Sequence, residues 1–256
     1  MLRTAGLTKR FGGLVAVDGV DFVLEADQLC SLIGPNGAGK TTFFDLLTGA
    51  LDPSEGRIEF RADGEWREVT DADPHRTAGL GVHRSYQITN VFPTSTVLEN
   101  VRVAAQAVGD DSFRFWRNTD AFPEYTEEAY DILDRVGLRH EAETTAASLS
   151  HGATRQLEVA IALAGDPDVL LLDEPNAGVS SESVGDIIDL IEDVATDHAV
   201  LLVEHNMDVV MEVSDRVVVL NQGEVIADGP PEAVQGDPAV QKAYLGGYET
   251  EGEGAA

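Results

Sequence analysis

Cysteine is nearly missing from this chain: Cys30 is the only one in 256 residues. A lone cysteine forms no intrachain disulfide and no thiolate metal cluster. It stands in the apolar run Leu29-Cys30-Ser31-Leu32-Ile33, which predicts an inert thiol packed in a core. Lysine is almost as scarce. Lys9, Lys40 and Lys242 face a total of 46 Asp and Glu, and the formal net charge is −29. That balance speaks against a general nucleic-acid binder, whose affinity comes from basic groups displacing counterions. Two readings of the acidity stay open: an acidic face for a partner, or adaptation of the whole surface to high salt, where repulsion is screened. The carboxylates are spread along the whole chain, which favours the second. Nowhere is there the run of roughly 18 apolar residues that a membrane-spanning helix needs. Met1 to Arg10 has no continuous apolar stretch after its charges, unlike a secretory signal. The expectation is a cytoplasmic protein that reaches the inner face of a membrane only through a partner.

What is present is 43% hydrophobic residues, enough for a substantial core. The length fits one large α/β domain, or a main domain with a small helical subdomain. No internal repeat is visible. Up to about Phe60 the chain reads as strands punctuated by Gly12-Gly13, Asp18-Gly19 and Glu55-Gly56. One helix interrupts them, from a Gly-rich loop through Thr41 to Leu47, with Gly49 as its C-terminal stop. From about 90 to 160 the pattern turns helical and acidic, clearest over Glu124 to Leu133. Ahead of that lies Gly109 to Arg117 with Phe113, Phe115 and Trp116, either a locally packed loop or a partner contact. A further helix is predicted over Thr154 to Ala164. Val169 to Leu172, Val200 to Val203 and Val217 to Leu220 read as buried strands, and Ile187 to Val194 as a helix. Strands alternating with helices imply a parallel sheet covered on both faces. The tail from Glu249 to Ala256 has no core-forming residue and is predicted to be disordered.

Chemistry enters with Gly34-Pro35-Asn36-Gly37-Ala38-Gly39-Lys40-Thr41-Thr42, which fits the phosphate-loop pattern G-x-x-x-x-G-K-[ST]. A buried strand precedes it and a helix follows. The glycines let successive backbone N–H groups converge on phosphate oxygens, and the helix N-terminus adds its dipole. Lys40 places charge on the β- and γ-phosphates, and Thr41 offers a hydroxyl to Mg²⁺. The second signal is Val169-Leu170-Leu171-Leu172-Asp173-Glu174-Pro175, a buried strand ending in two carboxylates where open α/β sheets bind ligands. Asp173 is assigned to Mg²⁺ and Glu174 to polarising the attacking water. Together the motifs define an α/β P-loop NTPase that uses Mg²⁺, and which kind depends on what lies between and after them.

Between and beyond these motifs the chain resembles the ABC ATPase family over nearly its whole length. Leu149-Ser150-His151-Gly152-Ala153-Thr154-Arg155-Gln156 stands where that family carries L-S-G-G-Q. The resemblance implies a mixed or parallel core sheet, an antiparallel β subdomain and a helical subdomain near 90–160, in one domain over 1–248. It also implies that Ser150 and Gly152 reach a γ-phosphate held by the opposite subunit of a dimer. Ser150 equally fits an ordinary helix cap. Gln87 matches the family's glutamine that touches Mg²⁺ or the attacking water. His205, in Leu202-Val203-Glu204-His205-Asn206, matches the switch histidine. Phe11 matches the aromatic that stacks on adenine, with a core position as the alternative. Three departures stand out: His151 and Ala153 within the signature, and Ser180 where many members have aspartate.

Within the family the resemblance runs to the larger ATPase of branched-chain amino-acid uptake systems. It rests on Phe11 to Asp18, the extended segment between Gln87 and the signature with its Asn90-Val91-Phe92 and Thr96 to Val101, Glu204 to Met211, and Lys242 to Gly246. It implies two membrane permease subunits, a second ATPase as homo- or heterodimer partner, and an extracytoplasmic binding protein. Urea or amide uptake, lipid or polysaccharide export, a soluble non-transport ABC ATPase, and a regulatory pseudo-enzyme remain the alternatives.

Overall fold

The computed structural model describes residues 1–62, 64–85, 91–108, 123–180 and 183–245. Gln87, the aromatics of the 109–117 segment and the 249–256 tail lie outside them. Two sheets carry the fold. The first is antiparallel, in the order β2 (Leu14–Leu24), β1 (Leu2–Phe11), β4 (Glu55–Ala62), β5 (Glu65–Glu68). Gly12-Gly13 closes the β1–β2 hairpin as the sequence predicts. Asp18-Gly19 does not form a turn. It lies within β2, where Leu7 pairs with Val20 and Lys9 with Val17. The extra residue is taken up as an irregularity with Gly19 at φ 61°, the left-handed geometry a bulge glycine supplies. Glu55-Gly56 likewise opens β4 rather than separating strands.

The second sheet has six strands in the order β10 (Glu224–Gly229), β9 (Arg216–Asn221), β3 (Leu29–Ile33), β8 (Ala199–Val203), β7 (Val169–Asp173), β6 (Val82–Ser85). Only β10 runs antiparallel to its neighbour. Every residue of β3, β7 and β8 is buried, because the sheet is covered on both faces. Leu170 and Leu172 of β7 point to a core shared with α3 (Val97–Val108), α4 (Pro123–Arg135), α5 (His151–Leu163) and α6 (Val184–Ala195). Val169 and Leu171 point to the opposite core, shared with α1 (Lys40–Leu47) and the antiparallel sheet. There Phe22 of β2 meets Phe43 of α1 edge-on, centroids 5.6 Å apart. The fold class read from the sequence is the one observed.

One helix boundary needs correction. α5 starts at His151, three residues before the predicted Thr154. Ser150 is its N-cap, and its Oγ accepts from Ala153 N at 3.2 Å. The first turn carries no fully buried residue, so the apolar period of Leu157, Ala160, Ile161 and Ala164 did not reveal it, although the reading of Ser150 as a cap did. The remaining elements are α2 (Pro74–Ala78), α7 (Met207–Val213), α8 (Pro231–Gln235) and α9 (Pro238–Leu245).

Candidate active site

Three neighbouring strands deliver the predicted chemistry to one sheet edge. β3 runs into the phosphate loop, β7 ends at Asp173, and β8, between them, leads to His205. The phosphate loop is pinned to the end of the sheet. Gly223 N, in the β9–β10 turn, donates to Ala38 O at 2.9 Å, and Phe43 N donates to Gly39 O at 2.8 Å as the first helical bond of α1. Gly34 and Gly39 have φ of 152° and 107°, and a Cβ there would lie 2.1 Å from Leu220 O and 2.3 Å from Ala16 O. Any side chain at either place would push the loop off the sheet.

Lys40 is 7% exposed. Its Nζ donates to Gly34 O at 2.7 Å and Pro35 O at 3.2 Å, so the ammonium is already aimed across its own loop. Burial pulls its pKa below the ordinary lysine value, opposed by the carboxylates of Glu174 and Asp173. A cleft of about 360 Å³ runs from Phe11, Leu14 and Ala16 across Asn36–Thr42 to Glu174 and His205. Phe11 is 46% exposed at its rim, with Lys9 Nζ 5.2 Å from the ring centroid. The alternative of Phe11 as a core residue is therefore set aside, and the ring offers a free face.

Glu174 has φ 50°, a left-handed conformation uncommon outside glycine. Its N donates to Val203 O at 2.9 Å. The turn brings Glu174 Oε1 to 2.6 Å from His205 Nε2. Asp173, with a side chain 7% exposed, accepts from Arg84 Nη2 at 2.6 Å. The same guanidinium donates to Asp45 Oδ1 at 2.6 Å and lies over Phe44 at 5.3 Å. Arg84 was missed in the sequence, because only the adjacency of β6 and β7 brings it to Asp173.

Ser150 is exposed, and neither it nor Gly152 lines the phosphate-loop cleft. Gly152 instead abuts the start of α6, where an added Cβ would sit 3.4 Å from Ser183 Cβ. The site thus has two separated halves on one chain: a phosphate loop beside a paired carboxylate and imidazole, and an exposed capped helix start.

Comparison with known proteins gives this division its meaning. Residues 17–177 match the family model described as ABC transporter. The chain belongs to the ABC transporter family, as one of its ATPase subunits. A second model, described as branched-chain amino acid ATP-binding cassette transporter, matches residues 224–250 of this ABC ATPase. It is 42% identical to BraF, the high-affinity branched-chain amino acid transport ATP-binding protein of Pseudomonas aeruginosa, over 96% of this chain and 98% of that one. LivG of Escherichia coli, named in the same terms, is 39% identical with the same coverage. LivG of the archaeon Archaeoglobus fulgidus, a probable branched-chain amino acid transport ATP-binding protein, is 34% identical over 98% and 97%. Among solved structures, the ADP conformation of an ATP-binding cassette of an ABC transporter superposes with a TM-score of 0.84 at 29% identity, covering 96% of this chain and 98% of that one.

Proposed function

We propose that this ABC ATPase powers uptake of branched-chain amino acids through a membrane permease. The observation that carries the reading is similarity along the full length to the Pseudomonas aeruginosa transport protein, joined by the match of residues 224–250 to the branched-chain model. The chain acts as a single domain over 1–248 with its helical subdomain near 90–160. It sits on the inner face of the cell membrane, held there by permease subunits that dock near Gln87. An extracytoplasmic binding protein brings the solute, which never touches this subunit. Nucleic acid is not a partner. The −29 charge fits a high-salt interior.

In this mechanism the working unit is a sandwich of two ATPase subunits, identical or similar. The free face of Phe11 takes the adenine ring, and the phosphates lie along Gly34–Thr42. Lys40 exchanges its main-chain acceptors for phosphate oxygens. The exposed start of α5, with Ser150 Oγ and the positive end of the helix, closes on the γ-phosphate of the other subunit. Asp173 and Thr41 offer the hard oxygen donors that suit Mg²⁺, with Gln87 joining them by family resemblance. When bound, the ion neutralises charge on the phosphates. Glu174 takes the proton of the attacking water, and His205 orients it through the 2.6 Å contact.

Glu174→Gln is expected to lower hydrolysis by roughly 10²–10⁴-fold and to accumulate an ATP-bound dimer. Hydrolysis at the parent rate would remove Glu174 from the mechanism. The transport reading is tested by reconstituting the chain with its permease and binding protein and measuring ATP turnover. Stimulation by leucine, isoleucine or valine supports it. Stimulation only by urea or short amides redirects it.

A further inference from the structure

Glu204 is a buried carboxylate beside a cleft that Glu174, Asn176, His205 and Asn206 also line. It follows the wholly buried strand β8 and is itself 4% exposed. No ion pair reaches it among the described residues. A buried carboxylate costs several kcal/mol to desolvate unless its oxygens are satisfied. Here each oxygen is satisfied by a main-chain group. Oε1 accepts from Asn176 N and Oε2 from His205 N, both at 3.1 Å. One donor belongs to the loop after β7, the other to the loop after β8.

Those loops carry Glu174 and His205. Glu174 holds a left-handed backbone conformation, of the kind that persists only when its surroundings over-determine it. Its own N–H is tied to Val203 O, and Ala177 N donates to Glu174 O at 2.9 Å. The Asn176 N–H within that turn is then held by Glu204. On the other side His205 is pinned from both neighbours. Glu204 binds its N–H, and Asn206 caps α7 through Oδ1, which accepts from Asp208 N at 3.0 Å.

We propose that Glu204 is a positioning residue for ATP hydrolysis, a two-oxygen clamp that fixes the loop bearing Glu174 against the loop bearing His205. The proposal rests on the reading that those two side chains act on the attacking water. A carboxylate suits the task because both oxygens accept and neither donates. The isosteric amide keeps one acceptor and turns an NH₂ toward the other N–H. Charge-assisted bonds of this kind are also the stronger ones.

The experiment uses the full chain with Glu204→Gln and Glu204→Asp, and Glu174→Gln and His205→Ala as controls. Measured are kcat, KM for ATP, affinity for a fluorescent ATP analogue, and the amide proton resonances of Asn176 and His205. For Glu204→Gln, kcat is expected to fall tenfold or more while KM and analogue affinity stay within twofold. Both amide signals are expected to move upfield. Glu204→Asp, which keeps two acceptors on a shorter arm, is expected to recover part of kcat, and it decides the matter if the glutamine variant fails to fold. A kcat per folded molecule equal to the parent in both variants overturns the clamp. Should the two controls also hydrolyse at the parent rate, the assignment of the reacting pair fails instead, and the two failures are told apart.

Discussion

Replacing Arg84 by methionine tests how the acidic end of β7 is held. The guanidinium bridges Asp173 and Asp45 at 2.6 Å each, and its side chain is 6% exposed. The Asp173 side chain is 7% exposed and that of Asp45 29%. The two contacts therefore do not weigh equally. The Asp45 contact is partly hydrated and contributes at most about 1 kcal/mol. The Asp173 contact is dry, and removing one partner of a buried pair costs about 3–5 kcal/mol because the other charge stays behind. Taking about 3 kcal/mol, and about 2–4 °C of melting temperature per kcal/mol for a chain of this size, Arg84→Met is expected to melt roughly 6–12 °C lower. Adding Asp173→Asn removes the stranded charge and is expected to recover at least half of that loss. Mg²⁺ with ATP is expected to raise the melting temperature of Arg84→Met more than that of the parent, since in the proposed mechanism the ion would supply Asp173 with another counter-charge. Differential scanning calorimetry with and without nucleotide reads all three. A single variant melting within 2 °C of the parent refutes the reasoning.

Phe11→Ala is expected to weaken ATP binding by about 1 kcal/mol or more, at least fivefold, with kcat little changed. Equal affinity by titration calorimetry would leave the ring no part in base stacking. Burial pushes the Cys30 thiol up to about 12, so the native protein is expected to stay unlabelled by a disulfide reagent at pH 8 and to react once unfolded. Rapid labelling of the folded chain would contradict a closed core around β3. Because like charges dominate the surface, the melting temperature is expected to rise between dilute buffer and molar KCl. A flat or falling response would count against the high-salt reading.

The parts of this molecule written in local sequence were legible, and the parts made by distant contacts were not. β3, β7 and β8 announce themselves as apolar runs because both of their faces are covered. The phosphate loop is legible because only glycine can stand at Gly34 and Gly39 with carbonyl oxygens so close. β5 gave no signal, since all four of its residues are exposed and a polar edge strand has no buried face to set a period. The Ser150 cap was legible as a local polar signal, whereas the apolar period, which sees only apolar residues, put the start of α5 three residues late. Arg84 and Glu204 were passed over for another reason. Arg84 meets partners 39 and 89 residues away, and Glu204 meets Asn176 at a separation of 28. Such pairings exist only after the strand order is known.

That strand order has a further consequence. With β8 between β3 and β7, the three loops proposed to handle ATP are spaced by the ladder itself, about 4.8 Å from one strand to the next. Their separation does not depend on the lengths of the segments that join them. Insertions between α3 and α4, or in the β4–β5 hairpin, leave that spacing alone. A swollen or slipped central ladder would spoil phosphate grip, proton transfer and histidine contact in one stroke. The proposed site is therefore as vulnerable in the short buried strands that carry it as in its loops.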